Sequence, residues 1–136
     1  PLGLACGEIV EGRFEYFYRA MSESDFADFL KTGRVKATTE TFISPTRAFS
    51  ETYQGVLVKF QVSAGTTDAL RSIGVRAHGA KSAALLPDLP QVKKRWGKSK
   101  ALFKPEGNQI NIGLGKGRAL DVFNDAIRGF EVLGVK

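Results

Sequence analysis

Alternating apolar and polar residues predict β-strands in several parts of the chain. Residues 14–20 alternate between aromatic and polar side chains, and residues 55–62 are the clearest strand pattern because Val, Leu and Phe dominate them. Between residues 79 and 107 prolines interrupt the pattern, so loops with only short strands are expected there. The predicted strands are residues 14–20, 35–43, 55–62, 83–86, 101–103, 109–114 and 130–135.

Apolar residues at helical spacing predict short helices between these strands. In the first helix Ser22 is the expected N-cap, Phe26, Phe29 and Leu30 share one face, and Gly33 is the stop. Mixed short strands and helices of this kind predict an α+β domain. The predicted helices begin at Ser22, at Ser44-Pro45 and at Thr66, and the last one covers residues 118–128.

The composition is that of one globular domain with a basic surface. The chain has 136 residues, of which 43% are hydrophobic and 25% are charged, enough for a single core. A formal net charge of +6 favours an anionic partner, such as nucleic acid, a dinucleotide or an acidic protein surface. One cysteine, Cys6, and one histidine, His78, exclude an internal disulfide and a four-ligand zinc site.

Much of the positive charge is concentrated in one segment around Trp96. Such a segment could track a phosphate backbone while the indole stacks on a base, or it could be a solvated loop. Both interpretations are open from the sequence. The basic residues of this segment are Lys93, Lys94, Arg95, Lys98, Lys100 and Lys104.

Arg19 ends the aromatic strand and is the first candidate for chemistry. A guanidinium on a buried strand is costly unless it faces an anion. About two dozen residues later Ser44 ends a second predicted strand, Thr41-Phe42-Ile43-Ser44, just before Pro45. An arginine and a serine at two strand ends can together hold the diphosphate and nicotinamide halves of a dinucleotide without a Gly-rich loop.

The order of these segments resembles the arginine–serine clade of ADP-ribosyltransferases, and within it the TreTu-type toxins of Rhs polymorphic proteins. The resemblance covers roughly residues 14–130. It implies two small, antiparallel-rich sheets that form an NAD cleft, flanked by short helices. The motifs that carry it are Tyr18-Arg19-Ala20-Met21-Ser22, Thr41-Phe42-Ile43-Ser44-Pro45 and Tyr53-Gln54-Gly55-Val56-Leu57-Val58.

The first residues of the chain add a second resemblance. Pro1-Leu2-Gly3-Leu4-Ala5 is similar to the end of the junction that closes the shell of Rhs toxins before their variable toxin domain. Residues 1–13 are therefore expected to be a leader left from that junction, and residues 14–136 the toxin domain.

The resemblance implies roles for particular residues. Arg19 would hold NAD through its phosphate or ribose. Ser44 would support the nicotinamide pocket; the alternative is that its hydroxyl only caps the predicted helix. Phe49 and Tyr53, four residues apart, could stack on nicotinamide or ribose or could belong to the core, and Phe49 is the preferred ligand-facing residue. Further cofactor-binding residues are expected at Tyr18, Ala20, Thr41, Phe42 and Asn111.

The third catalytic position is where the chain departs from the clade. The clade has a glutamate on a late strand, but the corresponding strand here has no acid, and Gln109 is the candidate in its place. Glu106, just before that strand, and Glu51, on the aromatic helix, are the alternatives. A glutamine can hydrogen-bond a ribose hydroxyl but cannot act as a general base, which favours an acceptor that is already nucleophilic.

The implied function is an antibacterial toxin that uses NAD, and no metal, to ADP-ribosylate elongation factor Tu and so stop translation. Large-subunit ribosomal RNA is an alternative target. The resemblance also implies a cognate, acidic immunity protein, a monomeric toxin when that protein is absent, no association with membranes, and delivery into the cytoplasm of a target bacterium, with type VI secretion as the expected route.

Two other classes of function remain open from the sequence. One is an NAD-independent toxin ribonuclease, in which His78 with Arg76, Lys81 and Ser82 would form a general-base cluster, although a lone His in a Gly-Ala loop is more often simply exposed. The other is a binding module without catalysis that uses the basic segment.

Overall fold

Two β-sheets organise residues 14–136, which are the residues described by the computed structural model. The expected leader, residues 1–13, and Cys6 within it lie outside the described residues. The strands are β1 (Phe14–Met21), β2 (Phe42–Ile43), β3 (Val56–Ser63), β4 (Gly74–Arg76), β5 (Ala101–Glu106), β6 (Gln109–Gly113) and β7 (Ile127–Val135). The α-helices are α1 (Glu23–Thr32), α2 (Arg47–Ser50), α3 (Thr66–Ser72), α4 (Ala80–Leu85) and α5 (Arg118–Ala126), and Trp96–Lys98 forms a 3-10 turn.

The first sheet has three antiparallel strands in the order β1-β3-β7. Its central strand, β3, buries Val58, Phe60 and Val62 completely, as the alternation of its sequence predicts. In the register with β1, Phe17 lies opposite Phe60 and Arg19 opposite Val58. The arginine therefore occupies a position of β1 that is paired with the buried face of β3.

The second sheet has four strands in the order β2-β6-β5-β4. The strands β5 and β6 form a hairpin that pairs Glu106 with Gln109, and the short β2 pairs with β6. β4 is parallel to β5, and every other pair in the two sheets is antiparallel. The predicted class, α+β with two small sheets and short helices, is confirmed.

Aromatic rings fill the core between the first sheet and its helices. Phe29 of α1 meets Phe60 edge to face at 5.3 Å between ring centroids, and Phe60 meets Phe123 of α5 in the same way at 5.6 Å. Edge-to-face geometry is the favoured one for such pairs. Leu30, predicted to share the apolar face of α1, is instead exposed, so that face is narrower than the sequence indicates.

A single pair of backbone hydrogen bonds joins the two sheets. The N–H of Tyr18 in β1 donates to the carbonyl of Ser44 at 2.8 Å, and the N–H of Ser44 donates to the carbonyl of Tyr18 at 2.9 Å. Beyond this pair β1 and β2 diverge. The divergence opens a cleft beside Arg19.

The predicted strand over residues 35–43 is wrong for most of its length, because only Phe42–Ile43 is a strand. The preceding backbone is held by side chains: Asn124 accepts from the N–H of Val35 at 2.7 Å and donates to its carbonyl at 3.0 Å. Thr41 has φ of 56°, a left-handed conformation that interrupts any strand. Long-range side-chain bonds thus override the local β propensity of this segment.

The helix predicted to begin at Ser44-Pro45 begins later and is shorter. Thr46 is its N-cap, without a side-chain capping bond, and α2 covers only Arg47–Ser50. Ser44 does not cap it, because the helix begins three residues later and the Ser44 hydroxyl bonds the backbone of Thr46 instead.

Three further boundaries differ from the predictions. Residues 83–86, predicted as a strand, lie at the end of α4 and its C-cap, and β4 was not predicted. Residues 127 and 128, predicted as the end of the last helix, begin β7. Five predicted strands and the helices beginning near Ser22, Thr66 and Arg118 are confirmed, with ends moved by a few residues; the strands are those near residues 14–20, 55–62, 101–103, 109–114 and 130–135. Within residues 14–136, no helix is long and apolar enough to cross a membrane.

The Asn124 clamp on Val35 gives a test of the fold. Asn124→Ala leaves the N–H and carbonyl of buried Val35 unpaired, so we expect the free energy of unfolding to fall by about 2–4 kcal/mol in chemical denaturation. Asp125→Ala, on the same helix, removes only an exposed ion pair with Arg34 and should cost less than about 1 kcal/mol. Equal losses in the two variants would contradict this role of Asn124.

Candidate active site

The cleft between the diverging strands has a volume of about 430 Å³, within the roughly 300–1,000 Å³ that is usual for small-molecule sites. It is bounded by the end of β1, by the irregular segment before β2, by β2 itself, by α2 with the loop that follows it, and by the end of β5. Its lining residues are Arg19, Ala20, Thr38, Glu40, Thr41, Phe42, Ile43, Ser44, Phe49, Ser50, Tyr53, Gln54 and Glu106.

Arg19 reaches the cleft from a strand position whose neighbours are core residues. Phe17 and Met21, two residues to either side, are 5% and 4% exposed, and the alternation of β1 places Arg19 between them. A guanidinium at such a position has lost most of its water. Burial lowers the pKa of Arg19 from its ordinary value, and the carboxylate of Asp25 opposes that shift.

The hydrogen bonds of Arg19 satisfy only part of its guanidinium. One terminal nitrogen donates to the carbonyl of Phe42 at 2.7 Å, and the other donates to Oγ1 of Thr38 at 3.1 Å. Nε is buried and has no hydrogen-bond partner among the described residues. No carboxylate of residues 14–136 lies within salt-bridge distance of Arg19. The cleft therefore contains a partly buried cation that forms no salt bridge with a carboxylate of the described residues.

Ser44 stabilises another part of the cleft wall through three hydrogen bonds of its hydroxyl, which we call the Ser44 brace. Its hydroxyl donates to the carbonyl of Thr46 at 2.8 Å and accepts from the N–H of Thr46 at 3.1 Å. It also accepts from Nε2 of Gln109 at 2.8 Å. The one proton and both lone pairs of this hydroxyl are thus in use. Ser44 shapes the wall of the cleft by holding the turn between β2 and α2.

Gln109 lies beside the cleft as part of this brace and is not among its lining residues. Its amide bonds Ser44 and also contacts the side chains of Thr46 and Asn111. Asn111 is 1% exposed, and its Nδ2 has no partner among the described residues. The predicted pair Gln109 and Asn111 thus forms a polar layer behind Ser44, away from the open space of the cleft.

Among the three candidates for the third catalytic residue, Glu106 is the one that lines the cleft. It ends β5 opposite Gln109, and its side chain is 30% exposed, 3.6 Å from Nζ of Lys104. Glu51 pairs instead with Arg47 at 3.1 Å and lines a different depression, near the end of the chain. Glu40 is a further carboxylate of the cleft, which the sequence does not single out because it lies just outside the motif of residues 41–45.

Aromatic rings cover one wall. The rings of Phe49 and Tyr53 lie 5.6 Å apart, tilted by 56°, and both line the cleft with Tyr53 more than half exposed. Phe42 lines the cleft as well. These rings offer a partly open aromatic surface against which a planar ring could stack.

The remaining predicted residues divide into cleft-lining and supporting ones. Ala20 and Thr41 line the cleft. The hydroxyl of Thr41 is engaged with the backbone, donating to the carbonyl of Gly115 at 2.7 Å and accepting from the N–H of Thr38 at 3.0 Å. Tyr18 contributes through its backbone bridge to Ser44, and its carbonyl also accepts from Oγ of Ser50 at 3.2 Å.

The residues of the hypothetical nuclease cluster have separate contacts. The guanidinium of Arg76 donates to the carbonyls of Leu86 and Leu89, which are backbone contacts of the fold. Lys81 donates to the carbonyl of Gly107, whereas His78 is exposed. No group of three or more His, Cys, Asp or Glu side chains that could hold a metal ion occurs within the described part of the chain.

Comparison with known families adds one finding. The family model described as the PT3 toxin domain matches residues 13–132, which is most of the chain and includes the whole cleft. No curated protein matches the chain.

The brace around Ser44 can be tested by stability. Ser44→Ala removes the acceptor of Gln109 and the partner of both backbone groups of Thr46, so we expect a loss of about 1–3 kcal/mol in the free energy of unfolding. Ser99→Ala, at an exposed serine, should change it by less than about 0.5 kcal/mol. An unchanged unfolding curve for Ser44→Ala would show that the brace contributes nothing.

Proposed function

The chain belongs to the PT3 toxin domain family and is therefore a polymorphic toxin domain, and we propose that it acts as an ADP-ribosyltransferase whose co-substrate is NAD. The proposal rests on two observations, the membership of the toxin family and the cleft between the two sheets. It follows the resemblance of the Arg19 and Ser44 motifs to the arginine–serine clade.

The observation that carries the proposal is the unneutralised guanidinium of Arg19. A partly buried cation is stabilised when an anion and hydrogen-bond acceptors complete its surroundings. Within the described residues the guanidinium has one carbonyl and one hydroxyl as acceptors, and its buried Nε has none. A diphosphate offers both the charge and several acceptors, and guanidinium is the side chain best matched to it. The dinucleotide fits the size class of the cleft, with its phosphates beside Arg19.

The other half of the cleft suits the nicotinamide riboside. Phe49 lines the cleft and would stack on the nicotinamide ring, while Ser44, held by Gln109, would keep its part of the wall in position. Because the Ser44 hydroxyl is already saturated, its contribution is positioning of the pocket.

We assign the third role to Glu106, which the cleft contains, and give Gln109 a supporting role through Ser44. The Glu106 carboxylate accepts a hydrogen bond from a ribose hydroxyl and stabilises the positive charge that develops on the ribose. The bond between the ribose anomeric carbon and the nicotinamide nitrogen breaks, and its electron pair leaves with nicotinamide. A nucleophile of the acceptor then forms the new bond to that carbon. An acceptor that carries a proton releases it to Glu106 or to water.

The acceptor that we propose is a component of the translation machinery, and the TreTu-type resemblance points to elongation factor Tu. Large-subunit ribosomal RNA is the second candidate, favoured by the positive charge around Trp96.

The toxin would reach the cytoplasm of a target bacterium through a secretion system, of which type VI is the expected kind. The producing cell would be protected by an acidic immunity protein that covers the cleft or the basic surface, complementary to the net charge of +6.

Replacing Arg19 tests the anion site. Arg19→Lys keeps a positive charge but loses the planar set of donors, so transfer of label from NAD to a bacterial extract should slow by about 10- to 100-fold. Arg34→Lys, at an exposed arginine that pairs with Asp121 and Asp125, is the matched control and should label at the wild-type rate. Wild-type labelling by a folded Arg19→Lys variant would refute the site.

Replacing Glu106 tests the third catalytic residue. Glu106→Gln should lower kcat for NAD cleavage by about 10²–10⁴-fold with KM for NAD little changed, because the carboxylate acts mainly as the ribose becomes charged. Glu51→Gln, in the neighbouring depression, should retain activity. If Gln109→Leu abolishes cleavage in a folded protein while Glu106→Gln does not, the two roles assigned here are reversed.

A further inference from the structure

A second concavity adjoins the cleft and contains the basic segment. Its volume is about 690 Å³, and we call it the Trp96 groove. Glu40 lines both the cleft and this groove, and Lys104 of the groove lies 3.6 Å from Glu106 of the cleft. The two concavities are therefore adjacent, with Glu40 as a shared wall and Lys104 beside Glu106. The groove is lined chiefly by His78, Lys93, Lys94, Trp96, Leu102 and Lys104.

Trp96 is held in the groove by the second sheet. A side chain at Gly113 of β6 would come within 3.0 Å of the indole and 3.2 Å of the Phe42 ring, so the bare backbone of this glycine makes room for both rings. The indole is only partly buried. Arg95, just before it, adopts the left-handed φ of 65°, which starts the 3-10 turn that carries Trp96. The ring is thus a partly exposed, positioned platform.

The positive charges beside Trp96 are not neutralised by the protein. Lys93 and Lys94 are exposed, line the groove on one side and a smaller depression of about 360 Å³ on the other, and form no salt bridge within residues 14–136. Lys104 lies over the Phe42 ring at 5.8 Å and is shared with Glu106. Two lysines without salt bridges in the described part of the chain therefore lie beside Trp96, and a third lysine lies next to Glu106.

We propose that the Trp96 groove binds a single-stranded segment of RNA, with a base stacked on Trp96 and phosphates beside Lys93, Lys94 and Lys104. Aromatic platforms with flanking cations are the common feature of single-strand sites, because every base has a face to stack. Lysine pairs with phosphate as a point charge, and an acidic peptide would leave the face of Trp96 without a flat ring to stack on it. A duplex would keep its bases away from the ring.

The groove lies next to the cleft in which we propose that ADP-ribose is transferred. A strand in the groove passes Lys104 and ends at Glu106, where the cleft would hold the reactive ribose. The choice of RNA over DNA rests on the proposed function, which directs the toxin to the translation machinery. Binding itself does not depend on that function, because neither Trp96 nor the two free lysines lines the cleft.

The direct test uses the fluorescence of Trp96, which is the chain's only tryptophan. Titration with oligouridylate and oligoadenylate of about eight nucleotides, without NAD, should quench the emission to saturation with Kd of about 10⁻⁶–10⁻⁴ M in moderate salt. Binding should weaken as salt rises, since phosphate contacts release counterions. Absence of quenching at low salt would overturn the proposal, as would equal or tighter binding of polyglutamate or of a duplex of the same length.

Variants separate the two parts of the groove. The double variant Lys93→Gln/Lys94→Gln should lower the slope of log K against log salt by about 1.4, and Trp96→Ala should weaken binding about 5- to 100-fold, measured by anisotropy of labelled RNA. Lys31→Gln/Lys36→Gln, on and after α1, removes the same charge elsewhere and should bind as wild type. Equal weakening in both double variants would mean that only net charge attracts RNA, and would overturn the groove assignment. Should Trp96→Ala fail to fold, the lysine variant and the quenching decide.

Failure of this inference and failure of the proposed function give different results. NAD cleavage by Lys93→Gln/Lys94→Gln should match wild type, because the lysines lie outside the cleft. If this variant loses RNA binding but still cleaves NAD, the groove and the transferase site are separate sites. RNA binding by a protein that never cleaves NAD would leave the groove standing and remove the transferase.

Discussion

The backbone pair between Tyr18 and Ser44 is the contact on which the candidate site depends. It is the point where the three-stranded and four-stranded sheets meet, and it places the end of β1 against the end of β2. Because the strands diverge on one side of this pair, Arg19 reaches the carbonyl of Phe42 at 2.7 Å instead of entering the closed core. The cleft is the space that this divergence leaves.

The energetics of the site follow from that geometry. A guanidinium that is partly buried beside core residues, with no carboxylate of the described residues at salt-bridge distance, is costly for the free protein, and the fold around it must be stable enough to tolerate it. The saturated hydroxyl of Ser44 and the left-handed Thr41 hold the opposite wall, so the cleft is shaped before any ligand arrives. Preorganisation of this kind is what electrostatic catalysis requires.

The two concavities share one face of the four-stranded sheet. Three neighbouring strands contribute to this face. β2 carries the aromatic Phe42, β6 carries Gly113, which has no side chain, and β5 carries the basic Lys104 and the acidic Glu106. In the proposed function, such a face would bind both the small dinucleotide and the large acceptor side by side.

By itself the sequence determined the α+β class, most of the strands, the first helix with its caps, and the candidates Arg19 and Ser44, because alternation, capping and an arginine in an aromatic strand are local signals. Only the tertiary structure decided that residues 34–41 are irregular, that Ser44 bridges two sheets instead of capping a helix, and that Glu106 lines the cleft while Gln109 braces it. These features depend on partners far away in the chain, such as Asn124 for Val35 and Gln109 for Ser44. Local propensity carries no information about such partners, and long-range hydrogen bonds outweigh it where they form.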